Sequence, residues 1–377
     1  MSEPQTLERP RAPESREPHG ASSEPKRMSV FERYLTVWVA LCMVVGVALG
    51  RLFPGLTVGL RQLEFGVGSQ INGPIAVLIW LMIVPMMMKI DFGSLANATR
   101  RPTGLFITLF VNWVVKPFGM FALGLLFFHG LFLPLIGEEL AKQYTAGVVI
   151  LAAAPCTAMV FVWSYLTDGD PAYTLVQVAV NDLVMLVLFA PIVGLLVGVS
   201  GLAVPFHVLL TAVAVFIVVP LVAGVALRAS LVRAQGVEWL ETKFLPRFQP
   251  VAITALLATL VLIFAFQADN ILGRPLHVLL IAIPILIQVY FNASLTYGLM
   301  RLFGAPYNVA APGALIGASN FFELAVATAI ALYGPESGAA LATIVGVLVE
   351  VPVMLSVCSV CNRTRNWFPE PLAGANQ

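Results

Sequence analysis

A thiol and several acidic groups lie inside long apolar stretches of this 377-residue chain. Cys156 directly follows Pro155 in ILAAAPCTAMVFVW, and Glu323 follows SNFF in GASNFFELAVATAIALYG. A thiol is a soft ligand that suits a thiophilic solute better than a sugar or an amino acid. A buried carboxyl group favours its protonated form, so Glu323 is a candidate for reversible proton binding beside such a solute. The alternative is that Glu323 is a static partner of Lys116.

Charged groups inside a membrane are costly, and each is therefore a functional candidate by default. Glu350, in LVEVPV, joins Glu323 as a candidate for proton coupling, although Pro352 could instead place it at a structural kink. Lys116 is more simply explained as a structural counter-ion of Glu323 or Asp182. The supporting polar candidates in the apolar stretches are Asn181, Asp182, Lys116 and Asn292.

These groups must be positioned by membrane helices, because 59% of the residues are hydrophobic and only 11% are charged. An average soluble domain has about 25% charged residues. The charges leave apolar runs of about 20 residues, the length that crosses a hydrocarbon core. The sequence therefore predicts an all-α polytopic protein in the lipid bilayer, without a sizeable soluble domain. The net charge of +1 gives no electrostatic reason to expect nucleic-acid binding.

Ten membrane spans fit the apolar runs. They are predicted at residues 35–53, 72–90, 103–128, 144–165, 173–199, 206–227, 249–267, 276–302, 309–333 and 339–360. An even number places both termini on one side. With the termini in the cytosol, the inner segments carry 16 Lys and Arg residues and the outer segments carry 4, with Lys116 left in the membrane. The positive-inside rule therefore predicts a multi-pass protein of the cell membrane with both termini cytosolic.

The two halves of the chain resemble each other at three places, with an offset of five spans. VVGVALGR of span 1 is similar to VAGVALRA of span 6, AGVVILAAAPC of span 4 to PGALIGASNFF of span 9, and VNDLVML of span 5 to VEVPVML of span 10. Because five is odd, the second half must be inverted, as in many secondary transporters. The interrupted spans 4 and 9 are then predicted to cross and to form the substrate site. Its predicted members are Pro155, Cys156, Ser319 and Asn320.

Four segments make up the predicted organisation. A tail at 1–34, rich in Pro, Glu, Arg and Ser, is expected to be disordered and cytosolic. The two five-helix repeats occupy 35–199 and 206–361, and a short cytosolic tail follows at 362–377. The chain has no Walker A phosphate-binding motif, so no ATP-driven pumping and no obligatory ATPase subunit are expected. No cofactor is expected either, and the sequence leaves the oligomeric state open.

The motifs quoted above, together with AVNDLVML and GAALATIVGVLVEVPVM, resemble the arsenite efflux permeases of the ACR-three type. The likeness runs from about residue 30 to residue 361. It implies a ten-helix fold that exports trivalent arsenic, as arsenite, in exchange for protons, with antimonite as a second candidate solute. It also implies that Cys156 is a transient As(III) ligand and that Glu323 is the essential carboxyl group. Many members read ARC and SNNFE where this chain reads APC and SNFFE. This difference leaves open whether the selectivity between arsenite and antimonite, or the strength of coupling, is altered.

Two other readings of the sequence compete with arsenite export. The same superfamily contains sodium-coupled symporters of bile acids, so a sodium-coupled importer of organic anions is the first alternative. A membrane sensor or enzyme that does not transport is the second. No catalytic constellation favours an enzyme, because the four histidines lie far apart in the tail or near span ends: His19, His129, His207 and His277.

Overall fold

The computed structural model describes residues 35–63, 71–89, 102–157 and 159–369. The predicted tail at 1–34 and residues 370–377 of the predicted C-terminal tail lie outside the described residues. Nearly all of the described chain is helical, without β-strands in that part.

The helices follow one another with short connections. In chain order they are α1 (Leu35–Leu52), α2 (Pro54–Arg61), α3 (Gly73–Met87), α4 (Pro102–Leu131), α5 (Leu133–Ile136), α6 (Glu138–Ala152), α7 (Val160–Leu166), α8 (Pro171–Val199), α9 (Phe206–Gln235), α10 (Val237–Phe266), α11 (Ala268–Gly273), α12 (Pro275–Leu302), α13 (Tyr307–Ala318), α14 (Phe322–Tyr333) and α15 (Gly338–Arg363).

Six of these helices are long and apolar enough to cross a membrane: α4, α8, α9, α10, α12 and α15. α1 and α2 form a seventh span if they are counted together, although they meet at an angle of 100°. The protein is therefore a multi-pass membrane protein. Every predicted span overlaps one helix or a pair of helices, but α3 and α14, of 15 and 12 residues, are too short to pass the same test. The count of ten spans and their inverted arrangement remain predictions.

Helix starts follow the usual sequence signals. Asp170 caps α8, since its Oδ1 accepts hydrogen bonds from the backbone N–H groups of Ala172 at 2.9 Å and Tyr173 at 3.1 Å. Ser337 caps α15 by accepting from the N–H of Ala340 at 3.1 Å. Short polar side chains at this position satisfy N–H groups that the helix leaves without partners. The N-termini of α8 and α15, which carry polar candidates, can thus be recognised from their capping residues in the sequence.

The helices pack in two groups. We call α1, α3, α9 and α10 the flanking group, because α10 packs along both α1 and α3, and α3 also packs on α9. We call α4, α6, α7, α8 and α12–α15 the central group, in which α15 contacts α6, α12 and α14. Each group takes helices from both predicted repeats, so the grouping cuts across the division of the chain at residues 199–206.

Close approach of α6 and α15 depends on a glycine. A Cβ atom at Gly147 would overlap the backbone of Ala339 and lie 2.7 Å from the Cβ atom of Ala342. Small residues allow helix backbones to approach in this way inside a membrane. The end of α6, where the candidate thiol follows, is therefore held tightly against α15.

Candidate functional site

Two helix interruptions meet inside the central group. The first break separates α6, which ends at Ala152, from α7, which begins at Val160, and the second break separates α13 from α14. Pro155 and Asn320 pair as an antiparallel bridge. The N–H of Phe321 donates to the carbonyl oxygen of Ala154 at 2.7 Å. Backbone N–H and C=O groups that lack helical partners at one break are thus partly hydrogen-bonded by the other break. Such groups need partners inside a membrane, because no water is present to bind them.

Two charged residues from distant helices hold the second break. Nζ of Lys116, on α4, donates to the carbonyl oxygen of Ser319 at 2.8 Å. Oε1 of Glu350, on α15, accepts from the N–H of Asn320 at 2.8 Å. The ammonium group of Lys116 thus lies at the C-terminal end of α13, which carries partial negative charge. The acidic group of Glu350 lies just before the N-terminal end of α14, which carries partial positive charge.

This arrangement differs from the ion pairs considered for Lys116. Among the described residues no salt bridge joins Lys116 to Glu323 or Asp182 within 4 Å. Its Nζ instead donates to a backbone carbonyl group, that of Ser319. Lys116 therefore serves the second break directly.

Glu323 lies in the first turn of α14 and is fully buried. Neither of its carboxyl oxygens has a hydrogen-bond partner in the described part of the chain, and neither has Oε2 of Glu350. Both acidic groups lie at the second break, because Glu350 accepts from the N–H of Asn320 and Glu323 is in the first turn of the helix that follows. Burying a carboxylate without a partner costs far more than burying the neutral acid.

Cys156 lies in the first break and is 2% exposed. Among the described residues it forms no disulfide. Pro155 before it forms the bridge to Asn320, and the Oγ1 of Thr157 after it is buried without a hydrogen-bond partner in the described part of the chain. The thiol is therefore placed at the meeting point of the two breaks.

The adjacent residues Asn181 and Asp182 on α8 differ in their surroundings. Oδ1 of Asn181 accepts from Asn112 Nδ2 and Trp113 Nε1, each at 3.1 Å, so this amide joins α8 to α4. Asp182 is buried, its oxygens have no partner in the described chain, and it lines a small cavity with Thr157 and Phe321. Asp182 is thus beside the breaks, whereas Asn181 is engaged in helix packing.

Asn292 and its neighbour Gln288 lie on α12. Asn292 is buried and its Nδ2 has no partner among the described residues. Gln288, which the sequence reasoning missed, donates from Nε2 to the carbonyl oxygen of Lys116 at 3.2 Å. An uncharged amide within the apolar run PILIQVYF was the available signal. The structure thus links Gln288, rather than Asn292, to the residues of the second break.

Cavities lie between the flanking and central groups. One of about 370 Å³ is lined by Met86, Lys89 and Gln249 of the flanking group and by Met159 and Thr174 of the central group. Another of about 340 Å³ lies between Arg61, Asn72 and Phe266 on one side and the end of α14 on the other. A third cavity, at Asp182, measures about 10 Å³, close to the minimum for one water molecule. The space beside the breaks is thus much smaller than the other two.

Known proteins resemble this chain over most of its length. The model of the Sodium Bile acid symporter family matches residues 76–274. The Arsenical-resistance protein Acr3 of Alkaliphilus metalliredigens is 55% identical over 347 residues, which cover 92% of this chain and 96% of that protein. Acr3 of Corynebacterium glutamicum is 34% identical over 89% of this chain and 90% of its own, and an uncharacterized transporter of Synechocystis is 45% identical over 91% of both.

Proposed function

We propose that this protein exports arsenite from the cytosol in exchange for protons. The chain belongs to the Acr3 arsenical-resistance proteins within the sodium bile acid symporter family. The observation that carries the proposal is the position of Cys156 at the meeting point of two helix breaks. It lies on the segment whose Thr157 and Met159 line cavities in the crevice between the flanking and central groups. Interrupted helices that meet in this way commonly form the substrate sites of secondary transporters.

The thiol supplies a reversible bond to the solute. Arsenite is the neutral acid As(OH)₃ near neutral pH. The sulfur of Cys156 replaces one arsenic-bound hydroxyl group, which leaves with the thiol proton as water and gives Cys–S–As(OH)₂. Addition of water reverses the step and releases As(OH)₃. A single sulfur ligand permits release, whereas three would hold a soft metalloid more tightly.

The acidic groups beside the second break supply the proton coupling. Glu323 and Glu350 are buried, and three of their four carboxyl oxygens lack partners in the described residues. Buried carboxyl groups are costly as anions and stable when protonated, so each can take up a proton when its side of the membrane is acidic. In the proposed cycle, protonation of Glu323 from outside favours solute release and the return step.

Movement of the flanking group against the central group gives alternating access. The cavity of about 370 Å³ at Lys89 and Gln249 lies at the predicted cytosolic end of the crevice. The cavity at Arg61 lies at the predicted outer end. We propose that the protein spans the plasma membrane ten times, as two inverted repeats with both termini cytosolic, and that the two cavities are the inner and outer approaches to Cys156.

Antimonite is a second proposed solute, because trivalent antimony shares the preference of trivalent arsenic for sulfur. Sodium-coupled import of organic anions is less well supported. Two of the relatives are named as arsenical-resistance proteins, and a soft thiol contributes nothing to an oxyanion such as a carboxylate.

Everted membrane vesicles test the proposed exchange. An acidic lumen should drive accumulation of arsenite, and collapse of the pH gradient should abolish it. In Glu323→Gln the response to the gradient should disappear, whereas Glu138→Gln, a change at an exposed surface acid paired with Lys142 at 2.8 Å, should retain it. Arsenite uptake that ignores the gradient would exclude proton exchange, and a full response in Glu323→Gln would exclude the role of that residue alone.

A further inference from the structure

Lys116 is completely buried, and its ammonium group points at a helix break rather than at an acidic side chain. Its side chain is 0% exposed, and its Nζ lies 2.8 Å from the carbonyl oxygen of Ser319. Burying an ammonium group is costly unless polar partners compensate it. The carbonyl group of Ser319 supplies one such partner at 2.8 Å.

Oxygen atoms without hydrogen-bond partners in the described chain belong to residues of the second break, to Glu350 and to Gln288. Glu350 and Gln288 are tied to the site, since Glu350 accepts from the N–H of Asn320 and Gln288 donates to the carbonyl oxygen of Lys116. In the described chain the buried oxygens without hydrogen-bond partners at these residues are Ser319 Oγ, Asn320 Oδ1, Glu350 Oε2 and Gln288 Oε1. Carbonyl, hydroxyl, amide and carboxylate oxygens are the ligands that hard metal cations prefer. The second break and its neighbours therefore carry the kinds of oxygen that bind metal cations.

Carbonyl groups released by interrupted helices bind the coupling cations of many secondary transporters. Here the released carbonyl of Ser319 already binds a cation, because the ammonium group donates to it. Glu350 lies beyond salt-bridge distance of that ammonium group and accepts from the N–H of Asn320 at the same break. A covalently attached cation thus lies where an exchangeable one could be held.

We propose that Lys116 is a tethered cation that takes the place of a free coupling cation at the second break, between the Ser319 carbonyl and Glu350. The inference rests on the proposed function in one respect, since it explains how solute export proceeds without sodium. Lys116 is a positioning residue, because it holds the second break against the first and does not contact the solute. A variant with a short neutral side chain should leave an oxygen-lined space that accepts Na⁺, Li⁺ or a short alkylammonium ion.

The thermal stability of the purified full-length protein tests this directly. Melting temperatures are measured in detergent at constant ionic strength in choline, sodium, lithium and methylammonium chloride. Lys116→Ala should melt lower than wild type in choline and should regain about 4 °C or more in the salts of small cations, because an ion that binds only the folded state stabilises it. Lys116→Met, whose side chain fills the space, should not respond to the ion.

Three controls make the outcome specific. The wild type and Lys142→Ala, which removes a surface lysine paired with Glu138, should melt at the same temperature in all four salts. Lys116→Ser is measured in parallel and should behave as Lys116→Ala, so the test does not depend on the folding of one variant. Equal melting of both short variants in all salts, or sodium dependence of the wild type, would overturn the proposal. No arsenite is present, so the result is independent of whether arsenite is the solute.

In everted vesicles, wild-type arsenite uptake should be the same in sodium and choline. Uptake by Lys116→Ala should be at least tenfold lower in choline and should recover severalfold in sodium or methylammonium. A purely structural role for the lysine predicts equal uptake in every salt, and that outcome would contradict the proposal.

Discussion

The two helix breaks are joined to each other but are stabilised by different chemistry. At the second break, Lys116 binds the Ser319 carbonyl and Glu350 accepts from the Asn320 N–H. At the first break, the chain supplies Pro155, which has no N–H to satisfy, and then the thiol of Cys156. Charged side chains from other helices therefore bind the free backbone groups of the second break. The first break instead carries a nucleophile, the thiol of Cys156.

We propose that this difference gives the two breaks separate roles. A break completed by protein charges acts as a rigid anchor, because its carbonyl and amide ends already have partners. A break that keeps a soft ligand can form a bond with the solute, and this bond can break again to release the solute. Solute selectivity then belongs to the first break, and ion coupling belongs to the second. The following changes test this separation.

Replacing the thiol should have the largest effect. Cys156→Ser should lower arsenite transport roughly 100-fold, about 2.7 kcal/mol of lost stabilisation, because a hydroxyl group is a hard and weak ligand for As(III). Transport in vesicles and arsenite resistance of cells measure the loss, with membrane abundance checked by immunoblot. Cys42→Ser, a buried thiol on α1 outside the breaks, should transport normally. Normal transport by Cys156→Ser would show that the thiol contributes only to packing.

Removing one charge from the second break should be worse than neutralising both. Lys116→Met alone leaves the Ser319 carbonyl and Glu350 uncompensated, which should lower the free energy of unfolding by about 3 kcal/mol. Glu350→Gln keeps an acceptor for the Asn320 N–H, so Lys116→Met/Glu350→Gln should recover about 1–2 kcal/mol of that loss. Denaturation of the purified variants gives the coupling energy. Strict additivity would show that the two residues act independently.

The first break should depend on packing rather than on charge. Gly147→Ala places a methyl group against the backbone of Ala339 and should lower the free energy of unfolding by roughly 1–3 kcal/mol. Gly119→Ala on α4 is the matched control, since a Cβ atom there meets nothing within 4 Å. It should be neutral or stabilising by up to about 1 kcal/mol, as alanine favours helix. Equal effects of the two substitutions would contradict the tight contact of α6 with α15.

Neutralising Asp182 should have the smallest effect. Its carboxyl oxygens lie in a small cavity beside Thr157 and have no partner in the described chain. Asp182→Asn preserves its size and avoids any cost of a buried charge, so stability should be unchanged or slightly higher and transport should change by less than about threefold. A loss comparable with that of Cys156→Ser would make Asp182 part of the coupling machinery.

Local features of the fold could be predicted from the sequence. The helix interruption around Pro155 and the one at 317–320 were predicted from a proline and from GASN, and α6 and α13 end there. A proline removes a backbone donor, and Gly, Ser and Asn favour non-helical backbone, so both signals act within a few residues. The apolar runs likewise predicted the membrane helices.

The partners of the breaks could not be predicted, because they come from far along the chain. Lys116 precedes Ser319 by 203 residues, and Glu350 follows Asn320 by 30. A π-helical turn at Val111–Val115, just before Lys116, also shifts the face of α4 that follows it. Periodicity cannot reveal such a shift. Sequence shows which charges are buried but not which atom they meet, so it could not show that Lys116 binds the Ser319 carbonyl.

Arsenic X-ray absorption of the purified protein with bound arsenite tests the central assignment most directly. We predict one sulfur and two oxygen neighbours around arsenic in the wild type and three oxygen neighbours in Cys156→Ser. The single sulfur should remain when Cys42, Cys358 and Cys361 are all replaced by serine. An arsenic atom with only oxygen neighbours in the wild type, or with a sulfur neighbour that survives in Cys156→Ser, would contradict the assignment of solute binding to the first break.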